Sequence, residues 1–341
     1  MPSERPRLTP AVADLRRAVR GALAGLDATA SGPVLVALSG GADSLALAAA
    51  AAFEGPRAGV AVGAIVVDHG LQDGSAEVAA RAADAARDLG LDPVLVTRVR
   101  VDPGADGPEA AARAARYDAF DDALRETGSR ALLLAHTLDD QAETVLLGLA
   151  RGSGAASLHG MAASAPAGAT GALLLRPLLG IRAATTRAAC ADQALDPWRD
   201  PHNADPAYAR ARVRHDVLPV LERELGPGIA EALARTADQL REDDDALERF
   251  AAEMVEEIAD HAEAGISLEV ASLAAAPPAL RHRLIRLAAR EEFAAHLSRT
   301  HVLEVARLVT DWHGQGPVDL PGVRVLRRDG LIVLSARTTE E

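Results

Sequence analysis

The stretch LVALSGGADS, residues 35–44, decides how the rest of the chain is read. A short apolar run, Val34 to Leu38, ends in Ser39-Gly40-Gly41-Ala42-Asp43-Ser44, and an alanine- and leucine-rich segment follows to Phe53. Apolar run, glycine pair, helix former: that order describes a strand, a loop and a helix. Two adjacent glycines let the backbone adopt positive φ and approach a ligand closely. The new helix aims free N–H groups into the loop, which makes an anion site, and phosphate is the usual anion. Ser39 and Ser44 add hydroxyl donors. Asp43 is out of place there, because a carboxylate repels a phosphate; a divalent cation between the two removes the conflict. A tight turn whose Asp and Ser cap the helix accounts for the same residues without any ligand.

Taken together, Ser-Gly-Gly-x-Asp-Ser resembles the PP-loop of the N-type ATP pyrophosphatases, which cleave ATP to AMP and pyrophosphate. The resemblance names a superfamily and not a member of it.

Working outward, the pattern repeats. Residues 10–27 place Val12, Leu15, Val19, Leu23 and Leu26 at helical spacing. Val60 to Val67 is a continuous apolar run, as in a strand buried on both faces, and ends at Asp68-His69-Gly70. A helix is expected over Ser75–Leu89 with Ser75 as its cap, a strand over Pro93–Val99, and an alanine-rich helix over Pro108–Thr127. A strand over Ala131–Ala135 leads to His136, and a helix over Asp139–Ala150 follows. Leu173–Leu175 reads as a further strand and Ile181–Ala194 as a helix. Alternating strands and helices make a doubly wound, mostly parallel α/β sheet, with ligands beyond the carboxyl ends of its strands. Ser39, Asp68 and His136 all fall at such ends.

Residues 196–206, dense in Asp, Pro, Asn and His, form the best linker. Past them the chain reads as helices over Tyr208–Leu225, Ile229–His261, Ala279–Phe293 and Arg299–Thr310. Val318–Leu334 then reads as a β-hairpin or small meander turning at Pro321-Gly322 and Asp329-Gly330. The expected organisation is a catalytic domain over residues 1–205 and a smaller, mainly helical domain over 206–341 that ends in a β-hairpin.

Composition limits the chemistry. The chain has 341 residues, 49% of them hydrophobic but only 2% aromatic, so Ala, Leu and Val must build the core. No apolar run reaches the roughly 20 residues of a membrane span, and the opening MPSERPRLTP has no apolar signal core. A cytoplasmic protein with no membrane partner is expected. The single cysteine, Cys190, excludes an internal disulfide, a CxxC pair and a Cys-rich zinc site. All 36 basic residues are arginine. A Walker A loop, which needs lysine, and a Schiff-base lysine are therefore excluded. Any reacting side-chain-type amine must come from a substrate. The net charge of −13 argues against nucleic acid only if basic residues are not locally concentrated.

Further acids and bases lie along the same sheet edge. Asp139, Asp140 and Glu143 open a helix just past a strand, and Asp140 and Glu143 share one helical face. The helix macrodipole explains one such acid or two; three near a phosphate loop suggest a metal or cation site. His69 and His136 each stand at a strand end, where a lone histidine is more often structural. Glu109 and Arg113 are an i, i+4 pair that by spacing alone is a surface salt bridge. Arg210, Arg212 and Arg214 alternate, which on a helix makes a basic patch rather than a stripe.

These motifs converge. SGGADS at 39–44, VDHGLQ at 67–72, EAAARAARYDAF at 109–120, AHTLDDQAETVLLGLARGSG at 135–154, RPLL at 176–179 and DPHNADPAYARARVRHDVLP at 200–219 resemble, in order, the tRNA(Ile)-lysidine synthetases. The block at 135–154 separates that family from other PP-loop enzymes better than the loop does. Thr137 stands where many members have a second histidine, and Ala211 where an asparagine is common. The helical tail resembles the family's first C-terminal domain; a second one, found in longer members, is expected to be absent.

The resemblance implies a reaction and its partners. ATP, with Mg²⁺, adenylates O2 of the wobble cytidine of a minor isoleucine tRNA, and the ε-amine of free lysine displaces AMP to give lysidine. It implies that Ser39, Gly40, Gly41, Ala42, Asp43 and Ser44, with Asp68, His69 and His136, bind the nucleotide. Asp43 and Asp139 would hold the metal, Asp140 and Glu143 the lysine ammonium, and Arg113 the adenylate. Asn203, Arg210 and Arg212 would contact tRNA. Asp43, Arg113, Asp139, Asp140 and Glu143 form the catalytic set. A homodimer is open to such a chain. The competing readings are tRNA thiolation, small-molecule amidation on the same loop, and a nucleotide sensor without chemistry. A sensor needs neither Asp140 nor Glu143, and thiolation needs more sulfur than one cysteine supplies.

Overall fold

The apolar run before the glycine pair is the centre of a six-stranded sheet. The computed structural model describes residues 8–26, 32–70, 74–100, 108–152, 154–168, 170–200, 205–262 and 265–337. The chain folds as two compact units, Met1–Asp238 and Gln239–Glu341.

In the first unit, α1 (Pro10–Ala24) precedes β1 (Val34–Ala37), α2 (Ala42–Glu54), β2 (Val62–Asp68), α3 (Ser75–Asp88), β3 (Val94–Arg98), α4 (Pro108–Thr127), β4 (Ala131–Leu133) and α5 (Leu138–Ala150). A short α6 (Ala155–Leu158), β5 (Ser164–Ala167), β6 (Ala172–Leu175) and α7 (Ala183–Asp192) follow. The sheet order is β3-β2-β1-β4-β6-β5. Every pairing is parallel except β5 with β6. β1 lies between β2 and β4, so the chain leaves β1 and β4 at the point where strand order reverses, the usual ligand crevice of such a sheet.

Strand alternation sorts the core into two layers. Val34, Val36, Ala64, Val66 and Leu133 face one side, packed with α1, α2, α3 and α7. Leu35, Ile65 and Leu132 face the other, against Phe120, Ala123 and Leu124 of α4. This is the doubly wound α/β sheet that the periodicity implies. Two details differ. The cap of α3 is Gly74 and not Ser75, whose hydroxyl instead bonds Asp68. β5, Ser-Ala-Pro-Ala, carries no strand pattern; it forms because β6 leaves an edge, and Pro166 is tolerated there.

Beyond the linker, α8 (Ala209–Arg212), a π-helical turn (Val213–Val217) and α9 (Leu218–Leu225) form one helical run. A proline ring clashes with the carbonyl four residues earlier. Pro219 therefore forbids a regular helix through His215, which accounts for the wide turn. Leu218, with Ala230 and Ala234 of α10 (Ile229–Ile258), packs on Leu138 and Ala142 of α5. The compositional change at 196–206 thus precedes the division between the compact units.

The second unit is built on β7 (Ala259–Ala262), β8 (Gly265–Glu269), α11 (Val270–Ala275), α12 (Pro278–Phe293), α13 (Arg299–Thr310), β9 (Val318–Leu320), β10 (Val323–Arg328) and β11 (Leu331–Ala336). The expected terminal meander, β9-β10-β11, is extended by two strands into a sheet of order β7-β8-β11-β10-β9, antiparallel throughout. Residues 259–262 continue a helical sequence pattern, but pairing with β8 makes them a strand. Gly265 permits that hairpin at φ +142°, where any Cβ would lie 2.1 Å from the Leu334 carbonyl oxygen. Leu284, Ile285, Leu287 and Ala288 of α12 and Val305 and Leu308 of α13 close this core.

Candidate active site

The loop after β1 is ordered by its own hydroxyls. Ser44 Oγ accepts from the Ser39 N–H at 3.2 Å, lies 3.1 Å from Ser39 Oγ, and donates to the Gly41 carbonyl at 3.0 Å. Gly40 takes φ +82°, and a Cβ there would reach Ala82 Cβ at 3.5 Å and Trp198 Cβ at 3.9 Å. The Trp198 N–H donates to the Gly40 carbonyl at 2.9 Å. Gly41 caps α2 without a side-chain bond, so no cap side chain accepts from the first N–H groups of α2 in place of an incoming anion.

Asp43, in the first turn of α2, accepts from the Thr186 hydroxyl of α7. That hydroxyl also faces the Ala183 carbonyl at 2.8 Å and has one proton to give. Burial raises the Asp43 pKa, and the nearby Asp140 carboxylate adds to it; Thr186, Arg214 and Arg187 act the other way. A carboxylate held uncomfortably at a helix N-terminus meets what a Mg²⁺ site asks of a protein: one or two carboxylates, with phosphate oxygens supplying more. Among the described residues no group of three or more His, Cys, Asp or Glu could hold a metal without such a substrate.

The acids after β4 are positioned by the start of α5. Thr137 is the cap: its N–H and hydroxyl donate to Asp140 Oδ2 at 2.7 and 2.8 Å, and the Asp140 N–H returns to Thr137 Oγ1 at 3.5 Å. Thr137 therefore has a defined task here, locking Asp140. Glu143, one turn on, is 0% exposed. Its carboxylate is gripped by Arg214: Nε reaches Oε1 at 2.5 Å and Nη2 reaches Oε2 at 3.0 Å. The same Nη2 donates to Asp140 Oδ1 at 2.9 Å. Arg210 Nη1 lies 3.5 Å from Glu143 Oε2, and Arg210 Nη2 donates to the Thr144 hydroxyl at 3.4 Å. Burial raises the Glu143 pKa against the pull of these arginines.

Asp139 points elsewhere. Its Oδ2 accepts the Ala183 N–H at 2.7 Å, at the start of α7, and its Oδ1 lies 3.4 Å from Arg182 Nη2. Asp68 closes the turn after β2: Oδ1 accepts the Gly70 N–H at 2.9 Å and Oδ2 lies 3.8 Å from Arg98. Burial pushes its pKa up, but the Gly70 and Ser75 donors and Arg98 outweigh that and hold it low. His69 Nε2 accepts from Arg116 Nε at 3.2 Å, so its proton sits on Nδ1, which is buried and finds no partner among the described residues. Burial, then Arg116, depresses the His69 pKa. His136 is lowered to about 4 by burial, with Arg176, Arg113 and Arg210 acting in the same sense and Asp140 opposing them. It is neutral at physiological pH, and its Nδ1 likewise finds no partner among the described residues. Arg113 rests on Tyr117, 4.8 Å from the ring centroid, with Nη2 3.3 Å from the phenol oxygen. The side chain of Glu109 and the whole of Asn203 lie outside the described residues.

The structure thus brings Asp43, Asp140, Glu143 and Arg214 into one electrostatic neighbourhood, with a cationic rim of Arg113, Arg116, Arg176 and Arg210 around two neutral histidines. Of the three alternating arginines, Arg210 and Arg214 turn inward. Arg212 Nη1 donates to the Pro206 and Ala207 carbonyls at 2.6 and 3.0 Å. Arg214 was missed as a site residue, although its i, i+4 spacing from Arg210 places both on one helical face. Thr186 left no sequence signal; only the packing of α7 on α2 brings it to Asp43.

Known proteins match this chain over most of its length. A family described as a PP-loop domain matches residues 16–221, and the TilS substrate binding domain matches residues 268–332. The tRNA(Ile)-lysidine synthase of Leifsonia xyli subsp. xyli is 66% identical over 306 residues, covering 89% of this chain and 90% of that protein. Its counterpart in Salinispora tropica is 55% identical, covering 95% and 96%. Among solved structures, the U34-tRNA thiolase NcsA from Methanococcus maripaludis superposes with a TM-score of 0.55 at 20% identity, over 68% of this chain and 80% of that one, a likeness of fold alone. With a PP-loop followed by a locked acid pair, and relatives this similar over nearly its whole length, the chain belongs to the tRNA(Ile)-lysidine synthase family.

Proposed function

We propose that this chain joins free lysine to C2 of the wobble cytidine of a minor isoleucine tRNA, at the cost of ATP. The observation that carries this reading is the acid pair, half-buried Asp140 and buried Glu143, in the electrostatic neighbourhood of Asp43 of the SGGADS loop. A PP-loop needs anion donors, and an amine substrate needs carboxylates. In the first step cytidine O2 attacks the α-phosphorus of ATP and pyrophosphate leaves. In the second the lysine ε-nitrogen attacks C2, the C2–O2 bond breaks, AMP departs with that oxygen, and the nitrogen loses its proton.

The residues divide accordingly. Gly40, Gly41 and Ala42, with the Ser39 and Ser44 hydroxyls, receive the phosphates that become pyrophosphate. Asp43 would hold Mg²⁺, which when bound offsets charge on the phosphate oxygens. Arg113 and its cationic neighbours stabilise the adenylate, since guanidinium forks match phosphate oxygens. Neutral His136 keeps the rim from adding a further charge to the lysine ammonium's path. Asp140 and Glu143 hold the ammonium, and one of them accepts its proton on attack. Asp139, bonded to the start of α7, acts by position, keeping α5 and α7 in register. A catalytic domain over 1–205 and a tRNA-holding domain over 206–341 remain the functional division we favour. A chain that works on tRNA with ATP would act in the cytoplasm, which is the location this reading assigns to it.

Arg212, with Asn203, faces tRNA in this reading. Arg212→Ala is expected to weaken tRNA binding and to flatten log K against log salt by about one unit or less. Filter binding across a salt series measures it; unchanged affinity and slope would move the tRNA surface elsewhere. Thiolation is disfavoured because the lone thiol, Cys190, is buried with its pKa raised to about 11 by burial, then by Asp43. The direct test is purified protein with tRNA, ATP and labelled lysine. Label should enter tRNA with one AMP and one pyrophosphate formed for each lysine. ADP formation, or no label in tRNA, would end this reading.

A further inference from the structure

The acid pair assigned to lysine is already filled. Asp140 Oδ1 takes Arg214 and Oδ2 takes Thr137; Glu143 Oε1 and Oε2 both take Arg214. Each of the four oxygens of this pair thus has a donor among the described residues. We infer that Arg214 occupies the ammonium site of the unliganded chain, and that its guanidinium must be displaced for lysine to bind. The inference rests on the proposed function and adds a residue and an order of events to it.

The charges require an exchange. Glu143 is 0% exposed, and removing Arg214 without a replacement would leave it only Arg210, at 3.5 Å, to offset a buried charge, which is unfavourable. An ammonium ion entering as the guanidinium leaves keeps the charge balanced throughout. Arg214 has somewhere to go. Its side chain is 37% exposed, so part of it already meets solvent. Burial lowers the Arg214 pKa, but Glu143, then Asp140 and Asp43 of the phosphate loop, raise it. A guanidinium displaced toward that loop would meet nucleotide phosphate oxygens, for which its fork is suited.

The backbone supports such a movement. Arg214 lies in the π-helical turn Val213–Val217 between α8 and α9, and π turns are uncommon and concentrate at functional sites. Pro219 prevents the regular helical alternative there. The lysine site and the arginine that fills it therefore sit on different kinds of scaffold. Asp140 is locked by a capping box on α5 and Glu143 stands one turn further along that regular helix, whereas Arg214 rides on the irregular turn. Bound phosphate should draw Arg214 away and open the site, so that lysine follows the nucleotide.

Calorimetric titration of lysine into the full chain at pH 8 tests this. Wild type should bind lysine about tenfold or more tightly with ATP and tRNA present than alone, by the competition for one site. Arg214→Ala should bind lysine about tenfold or more tightly than wild type in the absence of nucleotide, and lose most of the dependence on ATP and tRNA. Arg214→Gln, which keeps one donor for Glu143 and so protects the fold, should behave alike; circular dichroism verifies both variants. Tighter lysine binding in the variant that folds supports the inference. Unchanged or weaker binding overturns it and makes Arg214 a fixed part of the lysine site. If wild type also fails to put labelled lysine into tRNA, the proposed function falls with it; if wild type ligates lysine normally, only the displacement is wrong.

Discussion

Glu143→Gln is expected to reduce lysine transfer by about a hundredfold or more while leaving adenylation nearly intact. The basis is charge. Truncating or neutralising one partner of a buried, hydrogen-bonded ion pair costs about 2–5 kcal/mol of binding, and Glu143 is wholly buried with its charge opposite Arg214. Glutamine keeps the shape and one acceptor but not the charge that an ammonium requires. Pyrophosphate release with tRNA and ATP but no lysine should stay close to wild type, because the hydrogen-bond and ion-pair partners that Glu143 has among the described residues, Arg214 and Arg210, lie outside the loop after β1. Label incorporation into tRNA should fall mainly through a raised KM for lysine. Equal KM and kcat for lysine in the two proteins would show that the ammonium binds elsewhere. Asp140→Asn should act in the same direction with a second effect: Asp140 Oδ2 also receives the Thr137 N–H and hydroxyl, so the variant loosens the α5 cap as well.

Asp43→Ala is expected to remove AMP and pyrophosphate formation almost completely, by about a thousandfold, the scale on which single preorganised electrostatic contributors act. Asp43 is a half-buried carboxylate at the N-terminus of α2 whose pKa is raised, by desolvation first and with Asp140 adding to it. Such a group is stabilised when a divalent cation arrives. Loss of the carboxylate should therefore abolish the dependence of ATP binding on Mg²⁺ concentration that wild type shows, a readout separate from turnover. Stability should change little or rise, because the variant removes an unfavourably buried charge. A variant that still forms AMP at the wild-type rate would remove Asp43 from the metal role.

Much of this was written in local sequence. The two-residue alternation of Val34, Leu35, Val36 and of Ala64, Ile65, Val66 determines which layer each side chain enters, and it does so without reference to distant residues. The glycine pair, the alanine-rich helix after it and the acids opening α5 likewise announce themselves, because turn chemistry and helix starts are local. Other features were not local. β5 and β7 have no strand pattern of their own and exist because a neighbouring strand offers hydrogen bonds at an edge.

The chemistry divides in the same way. Sequence by itself determined that a phosphate loop and an acid pair stand at one sheet edge, and that no lysine of the chain can supply the amine. Only tertiary structure decided what the charges do to one another. It turned Arg210 and Arg214 inward and left Arg212 on carbonyls near the linker, because Pro219 forces a wide turn and the buried acids of α5 must be compensated. It engaged Asp139 at the start of α7 and set Thr186 against Asp43 through the packing of α7 on α2. Partners so far apart along the chain leave no periodic trace, since their pairing is dictated by the cost of burying an unpaired charge in three dimensions.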